Sequence, residues 1–299
     1  MKTTKKMMAG IVALLWAGAA FCAPGKKSVE ELKKAKPAPE SDFEVELTED
    51  GKGVILTAYT GNIRQKLKWS DRIDLVIPAT IQGYPVVAIG NGFAAKLAFV
   101  FRSVVIPEGV VSIGEAAFYG SKNLEVLVLP STLRVIDKGA FMQQGQYAML
   151  GDFSSLKELV IPEGVVGIGP GAFEGCYALT SLTLPKSLRF MGGRAFWGAY
   201  KLTSLEIPED LQLLEYSWAD DYGTLEYDRD PSNFYYEFFG SAENLAMQKR
   251  LRELTLTYPK SYKGNFEYWK NHSSPSVWSK YSGYTNWLQY CSTAMVEFR

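Results

Sequence analysis

The chain is predicted to fold as a solenoid, mostly β with little helix, whose coils stack in register. Two observations carry this. Ile-Pro or Leu-Pro recurs at Ile106-Pro107, Leu129-Pro130, Ile161-Pro162, Leu184-Pro185 and Ile207-Pro208, in steps of 23, 32, 23 and 23 residues, the long step being one period plus nine. Around those prolines one apolar layout returns: Leu124, Leu127, Leu129, Leu133, Ile136 and Phe141; then Leu156, Leu159, Ile161, Val165, Ile168 and Phe173; then Leu179, Leu182, Leu184, Leu188, Met191 and Phe196. A unit this short cannot close a core of its own, so successive copies must bury each other's apolar residues.

At the amino terminus Lys2, Lys5 and Lys6 precede an apolar run from Met7 to Cys22, the pattern of a secretory signal peptide occupying residues 1–22. The run is shorter than the roughly 20 residues of a membrane span, so the chain is expected to be exported and soluble. Cleavage after Ala20 or Cys22 satisfies the small-residue rule, and Cys22 is the favoured position. The other reading makes Cys22 the lipid-bearing residue of a lipoprotein, against which Phe21 stands where a small residue is usual. Residues 23–42, rich in Lys, Glu, Pro and Ala before Phe43, have the composition of a flexible linker. Residues 43–73 then form an amino-terminal cap. Phe43-Glu-Val-Glu-Leu47 alternates, Asp50-Gly51 turns and Val54-Ile-Leu56 resumes, which is a β-hairpin signal.

The solenoid spans residues 74–257. In each coil the alternating Leu-x-Leu or Leu-x-Ile gives a short strand, and the strands stack into a parallel sheet along one face. Proline after the strand ends the ladder without leaving a buried donor unpaired. Gly114, Gly169 and Gly192 follow the second apolar stretch, where a tight turn leads to Ala-Phe. Phe93, Phe118, Phe141, Phe173 and Phe196 form a stacked internal column. Cys176 stands where another coil has Ser121, a small buried position.

These residues resemble the BspA-like leucine-rich-repeat proteins, a bacterial and protozoan surface class. The resemblance covers about residues 43–208, including Leu75-Val-Ile-Pro78 and Gly83-Tyr-Pro-Val86 of the usual opening. It departs from the general leucine-rich repeat, which has Asn or Cys where this chain has turn and proline residues. The resemblance implies a right-handed solenoid with its sheet on the concave face. It also implies adhesion to host matrix or cell-surface proteins, and a cell-surface, secreted or periplasmic location.

Beyond Pro208 the layout persists through Leu211, Leu214, Phe239, Leu245, Leu251, Leu254 and Leu256, interrupted near 215–238 as it is earlier near 142–153. Insertions leave a solenoid as loops, often on the binding face. The later insertion carries Asp220, Asp221, Tyr235 and Tyr236, candidates for partner contact. Residues 258–299 read as a carboxy-terminal cap dense in aromatics, among them Trp269 and Trp278, which can cover the last coil or anchor a partner.

The outward strand positions read Val105, Val128, Val160, Thr183, Glu206 and Thr255, an apolar stripe turning polar, of the kind that marks a binding site unless a loop or the linker covers it. Lys plus Arg equals Asp plus Glu at 32 each, which gives no basic field for nucleic acid. His272 is the single histidine, and no phosphate loop, metal motif or nucleophile elbow surrounds it or occurs elsewhere. The expected function is therefore non-catalytic binding of a protein partner, with no cofactor and no metal. A hydrophobic small molecule or lipid is the alternative ligand, and pairing with a second copy through the solenoid edge stays open.

Overall fold

The computed structural model describes residues 27–61, 72–95, 97–143, 155–199, 201–209, 211–214, 227–228, 255–258 and 295–298. The short helix α1 (Val29–Lys33) comes first, then the antiparallel hairpin of β1 (Phe43–Leu47) and β2 (Val54–Tyr59). The strands β3 (Ile73–Val76), β4 (Thr80–Ile81) and β5 (Tyr84–Ile89) follow. Thereafter each coil supplies two strands: β6 (Phe101–Val105) and β7 (Ser112–Ile113), β8 (Val126–Val128) and β9 (Val135–Ile136), β10 (Glu158–Val160) and β11 (Gly167–Ile168), β12 (Ser181–Thr183) and β13 (Phe190–Gly192), β14 (Ser204–Glu206) and β15 (Gln212–Leu214). The last described strands are β16 (Tyr227–Asp228), β17 (Thr255–Tyr258) and β18 (Met295–Phe298).

The solenoid has two strand columns where the sequence reading placed one. The first column holds the predicted Leu-x-Leu strands in parallel, as β3-β6-β8, β10-β12 and β14-β17-β18. The second runs as β1-β2-β5-β7-β9-β11-β13-β15-β16, parallel except at its two ends, where β1 with β2 and β15 with β16 are antiparallel. Its strands come from the second apolar stretch of each repeat, which holds two or three residues in most coils, too few for a period of two to be visible. Across the 32-residue step β9 pairs directly with β11, whereas β8 and β10 fall in separate sheets, as β12 and β14 do at the next break.

A third column of hydrogen bonds joins the Ala-Phe turns. Phe118 N donates to Ala140 O at 2.7 Å, Phe141 N to Ala172 O at 2.8 Å and Phe173 N to Ala195 O at 2.7 Å. Beneath it four of the five expected phenylalanines stack, whereas Phe93 departs from the column, meeting Phe118 edge-on at 5.5 Å and 69° and lying parallel to Phe43 of the hairpin. Phe118, Phe141, Phe173 and Phe196 lie with centroids 5.0 to 5.2 Å apart and planes within 6° of parallel, the offset arrangement that ring quadrupoles favour. Cys176 is fully buried beside them, its thiol pushed up to about 12 by burial.

The strand-ending prolines begin a turn that clamps neighbouring coils. The residue before proline still joins the ladder, Ile106 N donating to Val128 O at 3.0 Å and Ile161 N to Thr183 O at 3.0 Å. In Pro107-Glu108-Gly109 the glycine amide donates to Thr132 Oγ1 of the next coil at 3.0 Å, and that hydroxyl donates to Val110 O at 2.8 Å. Pro162-Glu163-Gly164 repeats the clamp with Ser187, at 2.9 and 2.8 Å. Gly109 and Gly164 sit at φ of +103° and +100°, which a side chain would strain.

Residues 27–35 depart from the predicted linker. They carry α1, because Ser28 and Glu31 form a reciprocal capping box and Leu32 is buried against the solenoid. From Ala38 the chain is fixed along the edge of β3, Ala38 N donating to Val76 O at 2.8 Å.

Gly192 is needed for close approach of coils. A Cβ there would lie 2.7 Å from Pro170 Cα and 2.5 Å from Pro170 Cδ, whereas one at Gly167 would meet nothing within 4 Å. Gly192→Ala should therefore cost about 1–3 kcal/mol through overpacking, seen as a lower thermal midpoint, while Gly167→Ala should leave the midpoint unchanged or raise it slightly. Equal effects would show that the coils do not approach this closely.

Candidate functional site

The outer surface of the first column is the candidate site. Inward positions Val104, Leu159, Leu182 and Leu205 are buried, so alternation sends the residues between them outward. The register aligns Val76, Val105 and Val128 across β3, β6 and β8. It aligns Val160 with Thr183, and Glu206 with Thr257. Thr255, expected in this row, instead pairs with Ser204, so the strand sits two residues further along than its leucines suggested. The signal for the true register is Tyr258-Pro259, which occupies the place of Ile207-Pro208. Val76 belongs to the stripe and was missed, although Leu75-Val-Ile-Pro78 carries the same punctuation.

Exposure along the stripe is uneven because α1 lies across its beginning. Leu32, 1 % exposed, packs with Val76 and Val105, and Ala35, Val126 and Val128 border this small cluster. Val105 is therefore buried and Val128 half-buried, whereas Val160 is 64 % exposed and Thr183 and Glu206 are open. Burying one leucine is worth about 1.5–3 kcal/mol. Ordering a residue's backbone costs about 1–2 kcal/mol, so α1 is held only marginally.

Between α1 and β10, over the break in the sheet, lies a groove of about 530 Å³. Val126, Val128 and Val160 supply its apolar floor, and Lys33, Lys157 and Glu158 lie among its charged lining. At one end Asp74 accepts from Arg102 Nε at 2.9 Å, Arg102 Nη2 at 2.7 Å and Ser103 Oγ at 2.8 Å, and pairs with Lys27 Nζ at 3.2 Å. Burial alone would raise the Asp74 carboxyl, but the hydrogen bonds from Arg102, Ser103 and Lys27 outweigh it and hold the group at about 2. This cluster also was not anticipated, since Asp74, Arg102 and Lys27 come from three separate segments.

Asp220, Asp221, Tyr235, Tyr236, Trp269 and Trp278 lie outside the described residues. Among the described residues no group of three or more His, Cys, Asp or Glu is placed to hold a metal ion, and no helix is long and apolar enough to cross a membrane. The arrangement offers a shallow apolar strip with charged margins, which suits an extended or helical protein segment.

A family model described as the BspA-type leucine-rich-repeat region matches in six copies, over residues 93–149 and 145–227. A leucine-rich-repeat protein of T. pallidum is 30% identical, the match covering 60% of this chain and 81% of that one, with a TM-score of 0.49. The chain belongs to the BspA-type leucine-rich-repeat family. A leucine-rich cell surface protein of Faecalibacterium prausnitzii is 28% identical, over 60% of this chain and 51% of that one, with a TM-score of 0.43. A leucine-rich-repeat protein of Bacteroides ovatus is 26% identical, over 58% and 48%, with a TM-score of 0.38. The chain thus spans about half the length of these last two. Among curated proteins none matches significantly. The BspA-type match begins at Phe93, so α1 lies outside it.

Asp74 gives a signed pH dependence. Its folded pKa of about 2 lies below the unfolded value of about 3.9, so it contributes stability above pH 4 that is lost as pH falls toward 2. Asp74→Asn should lower unfolding free energy at neutral pH by about 1–3 kcal/mol, and the gap to the parent should close between about pH 4 and pH 2 in denaturant titrations. A gap that stays constant through that window would contradict the assigned ion pair.

Proposed function

We propose that this BspA-type protein is an exported, non-catalytic binding protein that holds a protein partner on the outer surface of its first strand column. The observation carrying this is Val160, 64 % exposed and lining the groove together with Val126 and Val128. Strands tolerate single exposed valines, but here the valine borders a recess floored by two more, with charges at its rim. Family membership supports protein binding as the general role and, on the family's pattern, adhesion to host matrix or cell-surface proteins. Asp220, Asp221, Tyr235 and Tyr236 in the insertion, with Trp269 and Trp278 near the carboxy terminus, are proposed as further contacts. The groove's volume also falls in the range of small-molecule sites, so a hydrophobic ligand or lipid is the second reading.

The test is binding of the purified chain to a panel of immobilised extracellular-matrix proteins, with Val160→Asp as the variant. The parent should bind at least one, and the variant at least tenfold more weakly with an unchanged thermal midpoint. Equal affinity would remove the valine stripe from the interface. A co-purifying lipid in native mass spectra, lost in Val160→Asp, would favour the second reading.

A further inference from the structure

Residues 27–35 are the one described segment that lies on the proposed binding surface without belonging to the repeats. They are attached there by few interactions. Leu32 is buried between Val76 and Val105, Ala35 borders the same cluster, and the half-exposed Lys27 reaches Asp74 at 3.2 Å. The helix itself has five residues, and its capping box of Ser28 and Glu31 is exposed. A helix of that length has no stability of its own, so its order depends on the docking of Leu32. Fixation along the edge of β3 begins only at Ala38, with Lys36 and Pro37 between. The segment can therefore leave the surface without disturbing a coil-to-coil hydrogen bond.

Removal of α1 would change the surface in a defined way. Val76 and Val105 would join Val128, opening the stripe across β3, β6 and β8, about 10 Å at the usual strand spacing, with Val160 beyond the break. Asp74 would lose Lys27 while keeping Arg102 and Ser103, leaving a carboxylate beside the uncovered apolar pocket.

We propose that residues 27–35 are an intramolecular occupant of the binding surface, and that a protein partner docks fully only by displacing them. What α1 presents defines the partner: a short segment with an apolar anchor for the Val76 and Val105 pocket and a basic side chain for Asp74. Docking of α1 then reduces the apparent affinity to the intrinsic value multiplied by the fraction of molecules in which the pocket is free. The inference rests on the reading of this surface as a binding site.

The experiment uses thiol labelling of the full chain and needs no partner. In a Cys22→Ala, Cys291→Ala background the remaining Cys176 is fully buried. Val105→Cys and Val160→Cys are made separately, and reaction with Ellman's reagent is followed. The thiol introduced at 105 should react at least tenfold more slowly than that at 160, yet much faster than Cys176. Leu32→Asp should raise the rate at 105 at least tenfold while leaving that at 160 unchanged. Ser28→Ala, an exposed change, should raise it severalfold and serves where Leu32→Asp lowers expression of folded protein. Reaction at 105 only as fast as at Cys176 would make α1 an integral part of the fold. Reaction as fast as at 160 in the parent would mean that α1 does not cover the pocket. Either result overturns the proposal and leaves the partner-binding test with Val160→Asp unaffected.

Discussion

Close approach of one backbone to the next at the Ala-Phe turn is the constraint on which the architecture depends. For Phe141 N to reach Ala172 O at 2.8 Å, successive coils must be separated by little more than a strand spacing at that corner. That separation brings the rings of Phe141 and Phe173 to 5.2 Å and leaves no room for a side chain between Gly192 and Pro170. The Thr132 and Ser187 clamps hold another corner at a matching interval. Spacing set at the corners then aligns the strands, and strand alternation decides which residues face out.

The candidate site follows from where that spacing is locally relaxed. Turn and second-column hydrogen bonds pass directly from the coil of Phe141 to that of Phe173, despite the nine added residues between their prolines. The first column is interrupted between β8 and β10, as it is between β12 and β14, and the groove at the first of these breaks has Val128 and Val160 in its lining. The amino-terminal helix fills the neighbouring part of the same surface, so the apolar area left open is the portion beyond its reach.

Much of this was legible because repeated sequence displays its own register. Five X-Pro punctuations and the recurring phenylalanines place the first strand column and the internal stack from Phe118 to Phe196, while Phe93, next to the hairpin cap, turns edge-on because Phe43 takes its face. The second column was not legible, since strands such as β11, Gly167–Ile168, are too short to show alternation. The row failed at Thr255 because some forty residues intervene and Leu254 and Leu256 fit the pattern in two registers. Tyr258-Pro259 resolves it. Residues 27–35 read as a tether by composition, yet Ser28-x-x-Glu31 before Leu32 is a capping-box signature, and the lone leucine among charges was the residue to weigh. The ion cluster at Asp74 had no local signal, because its partners are 28 and 47 residues away in sequence.

Residue-resolved hydrogen exchange on the full chain tests the central claim, that stacked turns form the stable body and the amino-terminal helix is only docked upon it. The amides of Phe118, Phe141 and Phe173 should exchange only through global unfolding, with the denaturant sensitivity that this implies. The amides of Leu32 and Ala35 should exchange through a local opening at least a hundredfold faster and insensitive to low denaturant. Uniform protection across both sets would contradict the account, as would turn amides that exchange as readily as those of the helix.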